Sequence, residues 1–546
     1  LNNLTRIRIH FHEQQRGEQK MNLDKYVNNL HFAIDKVSPP DWEVDWEDAP
    51  LPYKIYRGLP FFSLSLEVPL SLEVWEIPAK PNLRKIGHFL WYVYGITQFT
   101  EMKAGFAGTE NEEEVIYSNR RFAPSGGALY PNELYVYLHI ENVPAGVYHY
   151  DAAQHRLVLL REGHFDSYIA QTLGNRCEIS SCFGVIFVST MFWKNFYKYH
   201  NFAYRLQGLD AGVLLGQLLE TAKRFGFASG VYFQFLDRAV NHLLGLSEKE
   251  ESVYAVIPLS VEATNWASSQ SSNDKNRSAA ELCQELQTLH HVHYVRSKTI
   301  KKFPLLIKIN EASMLETTSS FRQMTGSEDG NHATPAVSLP PVERLTYDFS
   351  EACRRRFSPD IDFVLRKKVK QHQLATLLQE AAVSYVYCND LEEKHIKQKP
   401  RVSLYGCFHN IEEIPDGAYH YDREKHTLQL IHPGDHRFHL QSGMSTGNVN
   451  LFQVPLCLHV AGDNHHYKRE LGYRGYRIQQ MEAGMLVQRL LLAASALGMG
   501  GHPLLGFDVR VCDELYQMEP VRKTTLIQIP IGHFSGRPWL KGLMQT

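Results

Sequence analysis

Apolar and polar positions alternate in two registers along the chain, and each register marks out elements. Leu83, Ile86, Phe89, Leu90 and Val93 fall at helical spacing, so residues 83–96 read as a helix with one buried face. Leu134 to Ile140 alternates with a period of two, as a strand does. Gly146-Val147-Tyr148-His149-Tyr150-Asp151 runs into Arg156 to Leu160 as a hairpin. Asp210 to Phe225 is a strongly amphipathic helix, and Gln371 to Ala382 reads as another. Residues 1–75 carry Pro39-Pro40 and a Trp- and Pro-rich stretch from Trp42 to Pro52, and read as an N-terminal arm or lid.

Several of these pieces occur twice. Gly146-Val-Tyr-His-Tyr-Asp151 returns 271 residues later as Gly417-Ala-Tyr-His-Tyr-Asp422. Tyr204-Arg-Leu-Gln207 with Ala211-Gly212 returns 272 residues later as Tyr476-Arg-Ile-Gln479 with Ala483-Gly484, and Ile257-Pro258 as Ile529-Pro530. An offset this constant over more than a hundred residues marks a fused duplication. The expected organisation is an arm (1–75), a first domain (76–260), a linker (261–345) and a second domain (346–546). The linker is rich in Ser, Thr and Asn around a short segment at 279–309, a composition that favours partial disorder with a helix or two. Two fused like domains can mimic a two-fold homodimer, with a site at their interface drawing on both copies.

Composition narrows the function classes. At 546 residues, 44% hydrophobic and 21% charged, the chain has material for two to four globular domains, and no apolar run reaches the length of a membrane span. A net charge of -2 makes no electrostatic case for nucleic acid or an anionic membrane as a general partner. The eight cysteines are dispersed with no C-x-x-C pair and read as reduced thiols. His465-His466 and His290-His291-Val292-His293 fall into no metal-binding pattern, so no metal is expected. With a polar amino terminus and no hydrophobic signal core, a cytoplasmic location is expected.

The segment Ser118 to Tyr135 stands apart from ordinary core. Arg120-Arg121 leads into Pro124-Ser125-Gly126-Gly127, where a small hydroxyl and bare amides can approach a ligand closely. Taken alone, it also fits a plain Gly-Gly turn into a strand. Lys198-Tyr199 reads, in isolation, as surface charge beside a packed aromatic. Arg354-Arg355-Arg356-Phe357-Ser358 precedes the helix expected at 371–382, either as a solvated helix start or as an anion site, since cations at a helix amino terminus are disfavoured by its dipole.

Pro124-Ser125-Gly126-Gly127-Ala128-Leu129-Tyr130-Pro131, the Lys198-Tyr199 pair just ahead of Tyr204-Arg205, and the Ala-Gly helix resemble the flavin-dependent nitroreductase superfamily. Within it they resemble the SagB/McbC branch, the azoline dehydrogenases of thiazole- and oxazole-containing peptide biosynthesis. The resemblance covers roughly 83–259 and 349–543. It implies an α+β fold: two tandem domains, each a mainly antiparallel sheet flanked by helices, forming an intramolecular pseudo-dimer. It also implies one FMN at the interface, bound by an arginine-rich phosphate anchor and a Pro-x-x-Gly-Phe-Asp wall from one half and by the Pro-Ser loop from the other.

By that resemblance the second half supplies Arg354, Arg355, Arg356 and Ser358 as anchor and Pro503-Leu504-Leu505-Gly506 as wall, with Arg537 a loose match to a phosphate ligand. Leu505 departs from the acidic residue of simple nitroreductases. The first half supplies the loop and, as catalytic pair, Lys198 and Tyr199. Ser118, Arg120 and Arg121 are candidates for flavin or substrate contact, or for bracing the loop. Along the same offset the first half reads Tyr232-Phe-Gln-Phe235 in place of the wall. The second half reads His395 to Val402 in place of the loop and Glu470-Leu471 in place of the pair. One complete site per chain is therefore expected.

The reaction this implies is oxidation of thiazoline or oxazoline rings in a ribosomal peptide, with dioxygen reoxidising the flavin and a cyclodehydratase as partner. The alternatives are an NAD(P)H-dependent nitro- or quinone-reductase acting on small molecules, and a non-catalytic scaffold. The sequence leaves open whether the fused chain pairs again as a homodimer.

Overall fold

The computed structural model describes residues 22–73, 76–104, 114–264, 266, 276–324, 335–384, 386–392, 400–536 and 540–543. Each half builds a seven-stranded antiparallel sheet with the same strand order. In the first the order is Phe61–Ser63, Arg156–Glu162, Gly146–Asp151, Asn132–Leu138, Gly184–Met191, Glu251–Ser260, Ala228–Ser229. In the second it is Ala336–Ser338, Thr427–Pro433, Gly417–Asp422, Ser403–Phe408, Leu456–Asp463, Lys523–Gly532, Gly500–Gly501. Even the irregularities recur: register shifts at Val147/Tyr148 and Val188/Ser189 return at Ala418/Tyr419 and Val460/Ala461.

The two halves meet along a pair of long helices, Ala203–Arg224 and Tyr473–Ala496. Here the repeated Ala-Gly motif finds its physical reason. A Cβ on Gly212 would run into the carbonyl of Met481, and one on Gly484 into the carbonyl of Leu209, so only glycine lets the backbones approach this closely. The repeated tyrosines Tyr204 and Tyr476 stack at 5.8 Å with their rings 12° apart. Gln488 donates to the Gln217 side chain across the same seam (2.7 Å). The first helix starts at Ala203, seven residues before the amphipathic stretch seen in sequence. Its early turns are buried on every side, and Arg205 donates to Leu30 O (2.9 Å) and Leu526 O (2.6 Å), so no polar face marks them.

Further ties cross between the halves. Strand Leu540–Leu543 pairs with Gln98–Ala104, which pairs with Glu114–Arg120, giving a third sheet of three strands. Ser118, Asn119 and Arg120 are thus strand residues that lead directly into the Pro-Ser loop. Helix Leu23–Phe32 touches both halves, with Tyr26 donating to Asn201 O (2.6 Å) and His31 stacked on His466 at 4.7 Å. Between the halves, helix Ala279–Glu285 carries a Ser278/Glu281 capping box and buries Ala279 and Leu282 in the first domain's core. Helix Pro304–Ala312 buries Leu305, Leu306 and Ile309. These two helices fall in the segment where composition leads us to expect a helix or two. Serine-rich residues 267–275 and residues 325–334 lie outside the described residues.

Candidate active site

The Pro-Ser loop and the Lys-Tyr pair come together. Helix Trp193–Tyr199 ends with Lys198 and Tyr199 half-buried beside Gly127. Gly127 has φ +64, and a Cβ there would stand 2.6 Å from the Tyr199 hydroxyl and 3.0 Å from Lys198 Nζ. Glycine is required twice over, for its backbone angle and for the space. Burial pulls the Lys198 amine below the usual lysine range. Burial pushes the Tyr199 phenol up, and the nearby Asp210 adds to that. Of the two, Lys198 is the group drawn toward its uncharged, proton-accepting form.

The loop is fixed from below by Asp210. Ser125 Oγ donates to Asp210 Oδ2 (2.5 Å), the Gly126 amide donates to Oδ1 (3.1 Å), and Ser125 Oγ accepts from the Tyr130 amide (3.0 Å). Burial raises the Asp210 carboxyl to about 6, against which these hydrogen bonds pull down. The helix bearing the pair is anchored by a buried ion network. Lys194, one turn before Lys198, pairs with Glu133, which also meets His149 Nε2 (2.9 Å). Burial alone would raise the Glu133 carboxyl; Lys194 and His149 hold it down to about 2. Asp210, Glu133 and Lys194 match no motif, and their one signal in sequence is that of ionisable residues inside otherwise apolar elements, which require partners.

The second half reaches this loop through Arg356. Its Nε donates to Phe122 O (2.8 Å), two residues before Pro124, and its NH1 approaches Ser358 Oγ (3.4 Å). Burial lowers its pKa, and the Arg120 guanidinium lies close enough to add to that. The Arg356 guanidinium and the Ser358 hydroxyl of the second half therefore stand beside the loop of the first. Residues 357–360 then run along the wall: Gly501 N donates to Phe357 O (3.2 Å), and His502 Nδ1 lies 2.8 Å from Pro359 O. Leu504 exchanges both backbone hydrogen bonds with Gln528 (2.7 and 3.1 Å). Among the described residues, the amides of Leu505 and Gly506 meet no acceptor.

Not every expected residue gathers here. Arg354 donates to Leu70 O (2.8 Å) and Arg355 pairs with Glu351 on the surface (2.6 Å). Sequence places all three arginines ahead of a helix; they instead close helix Phe349–Arg355, with Arg356 as its C-cap. Cations suit that end of the dipole and require no anion, so of the residues expected as anchor only Arg356 and Ser358 lie beside the loop. Arg121 is buried, donating to Tyr94 O and Pro52 O, so it braces the loop. Ser118 is likewise structural, its hydroxyl 2.7 Å from that of Thr100. Arg537 lies outside the described residues.

The degenerate counterpart site is filled by the chain itself. Residues 387–391 lie against Val231 to Gln234: Val231 N donates to Cys388 O (2.9 Å), and the amides of Phe233 and Gln234 donate to the Asp390 carboxylate (2.8 and 3.0 Å). Arg176 pairs with Asp390 at 3.0 Å. Phe233 and Gln234 correspond by the 272 offset to Leu505 and Gly506. One wall is therefore capped by a carboxylate, and the other is left with open donors. Where the loop should recur, Arg401 is locked to Glu482, the counterpart of Asp210.

The nitroreductase family model matches residues 102–259 and again 366–533, together more than half of the chain. A crystal structure of a candidate nitroreductase from Anabaena variabilis superposes with a TM-score of 0.70 at 20% identity, covering 94% of this chain and 99% of that one. A candidate nitroreductase of Methanocaldococcus jannaschii is 22% identical over 207 residues, 36% of this chain and 96% of that protein. A chain of the E. coli microcin synthetase McbBCD complex aligns at 22% identity over 34% of this chain and 65% of that chain, with a TM-score of 0.28. Among the described residues no helix is long and apolar enough to cross a membrane. With the family's domain present twice, in sheets of one shared order, this chain belongs to the nitroreductase family of oxidoreductases.

Proposed function

We propose that the chain is an FMN-dependent dehydrogenase that oxidises thiazoline or oxazoline rings in a ribosomal peptide to thiazole or oxazole. The observation that carries this reading is Lys198, a half-buried amine held below its usual pKa against Gly127 of the Pro-Ser loop. A flavin reductase fed by NAD(P)H has no need of a dedicated base, whereas aromatising an azoline does. One ring carbon gives up a proton and its neighbour a hydride. Lys198 takes the proton, and Tyr199 holds the amine in place beside the loop.

The residues present fit FMN. Arg356, Arg120 and Ser358 would hold the phosphate, and the open amides of Leu505 and Gly506 would face the ring edge. Bound there, FMN supplies the hydride acceptor. Pro503 and the buried Leu504 and Leu505 form a rigid apolar backing that excludes water on that side. A cyclodehydratase that makes the azoline is the partner this chemistry calls for.

Replacing Lys198 by Ala and Tyr199 by Phe in the flavin-loaded protein tests the reading. Turnover of an azoline peptide is expected to fall by a factor on the order of 100 to 10,000 for Lys198→Ala, with flavin content unchanged. Full turnover in both variants would remove the proposed base, and NADH-driven nitro- or quinone-reduction without azoline oxidation would mark the reductase instead.

A further inference from the structure

An indole that belongs to neither the loop nor the wall stands over the candidate base. Trp46, from the N-terminal arm, has its ring 5.1 Å from Lys198 Nζ and edge-on to Tyr197 at 6.0 Å, yet is 57% exposed. It is held there by a strap. Trp42 Nε1 donates to Tyr197 O (3.0 Å), its ring meets His200 edge-on at 4.5 Å, and Lys301 Nζ caps it at 3.9 Å. Asp48 accepts from the amides of Lys298 and Thr299 (2.5 and 2.8 Å), and Ser297 Oγ, itself the acceptor of Trp193 Nε1 (2.9 Å), donates to Asp48 O (2.8 Å). Two segments of chain, the arm and the stretch between the halves, thus fix one partly exposed indole beside one amine.

We propose that Trp46 is a substrate-positioning residue, an outer wall that seats the flat five-membered azoline ring beside Lys198; this rests on the azoline reading. The ring's C–H bonds can pack against the indole face, and a thiazoline sulfur gains a further contact with its edge.

The test uses the full-length flavin-loaded protein with Trp46→Ala and Trp46→Phe and azoline-peptide kinetics. Trp46→Ala should raise KM about tenfold, with a much smaller change in plateau kcat. Trp46→Phe should restore most of the lost affinity. An unchanged KM overturns the proposal, and so does failure of Phe to restore. If wild-type protein turns over no azoline peptide, the substrate reading itself has failed and takes this proposal with it.

Discussion

Gly127 shows how much of this site depends on a single missing atom. With φ +64 and the Tyr199 hydroxyl and Lys198 amine standing where a Cβ would go, alanine there must strain the backbone and push the pair aside. Gly127→Ala should therefore cut kcat on an azoline peptide by a factor on the order of 100, while far-ultraviolet circular dichroism stays unchanged. Normal kcat in a folded variant would contradict the contact. Asp210 makes a separate prediction. Its folded-state pKa of about 6 lies above the ordinary aspartate value of 3.8, so the folded protein holds this proton more tightly than the unfolded chain. That stabilisation is complete below the unfolded value and is lost as pH rises through the folded one, a loss of about 3 kcal/mol. Urea unfolding of wild type and Asp210→Asn between pH 4 and 7 should show the wild type weakening relative to the variant by that amount. Parallel curves would mean that the carboxylate is not buried as described.

At the scale of elements, the seam between Ala203–Arg224 and Tyr473–Ala496 carries the duplication. Gly212→Ala forces two backbones apart, so in place of the helix propensity gain of about 1 kcal/mol it should cost about 1–3 kcal/mol or more, read as a lower urea midpoint. A neutral or stabilised variant would show that the helices do not touch there. These elements also show what sequence could and could not display. The helix at 83–94 was legible because its first turns have one apolar and one polar side, and the strands Asn132–Leu138 and Gly146–Asp151, though buried on both faces, because of their period-two alternation and their repeated Gly-x-Tyr-His-Tyr-Asp string. The first turns of the long helix were not, because burial on every side erases the pattern, and the arginine triplet was set before a helix because Phe349–Arg355 is too short to show a period. Strand Leu540–Leu543, pairing with Gln98–Ala104 of the other half, has no local signal at all.

Across the whole molecule, the duplication has kept its architecture and divided its chemistry. The constant offset in sequence exposed the two like domains, and motif content showed which half carries the loop and which the wall. What sequence did not display was the means of closing the second site. Asp390 on the amides of Phe233 and Gln234, with Arg401 on Glu482, is a set of contacts between segments far apart in the chain, and a composition or period carries no trace of it. Nor did it show that the arm and the segment between the halves converge on Lys198. The central claim is a single flavin site per chain, assembled from both halves. Its most direct test is the flavin content of the purified full-length protein, from its visible absorption after saturation with FMN and gel filtration. The account predicts one equivalent per chain, falling toward zero on Arg356→Ala. Two equivalents per chain, or one that survives Arg356→Ala at full affinity, would contradict it.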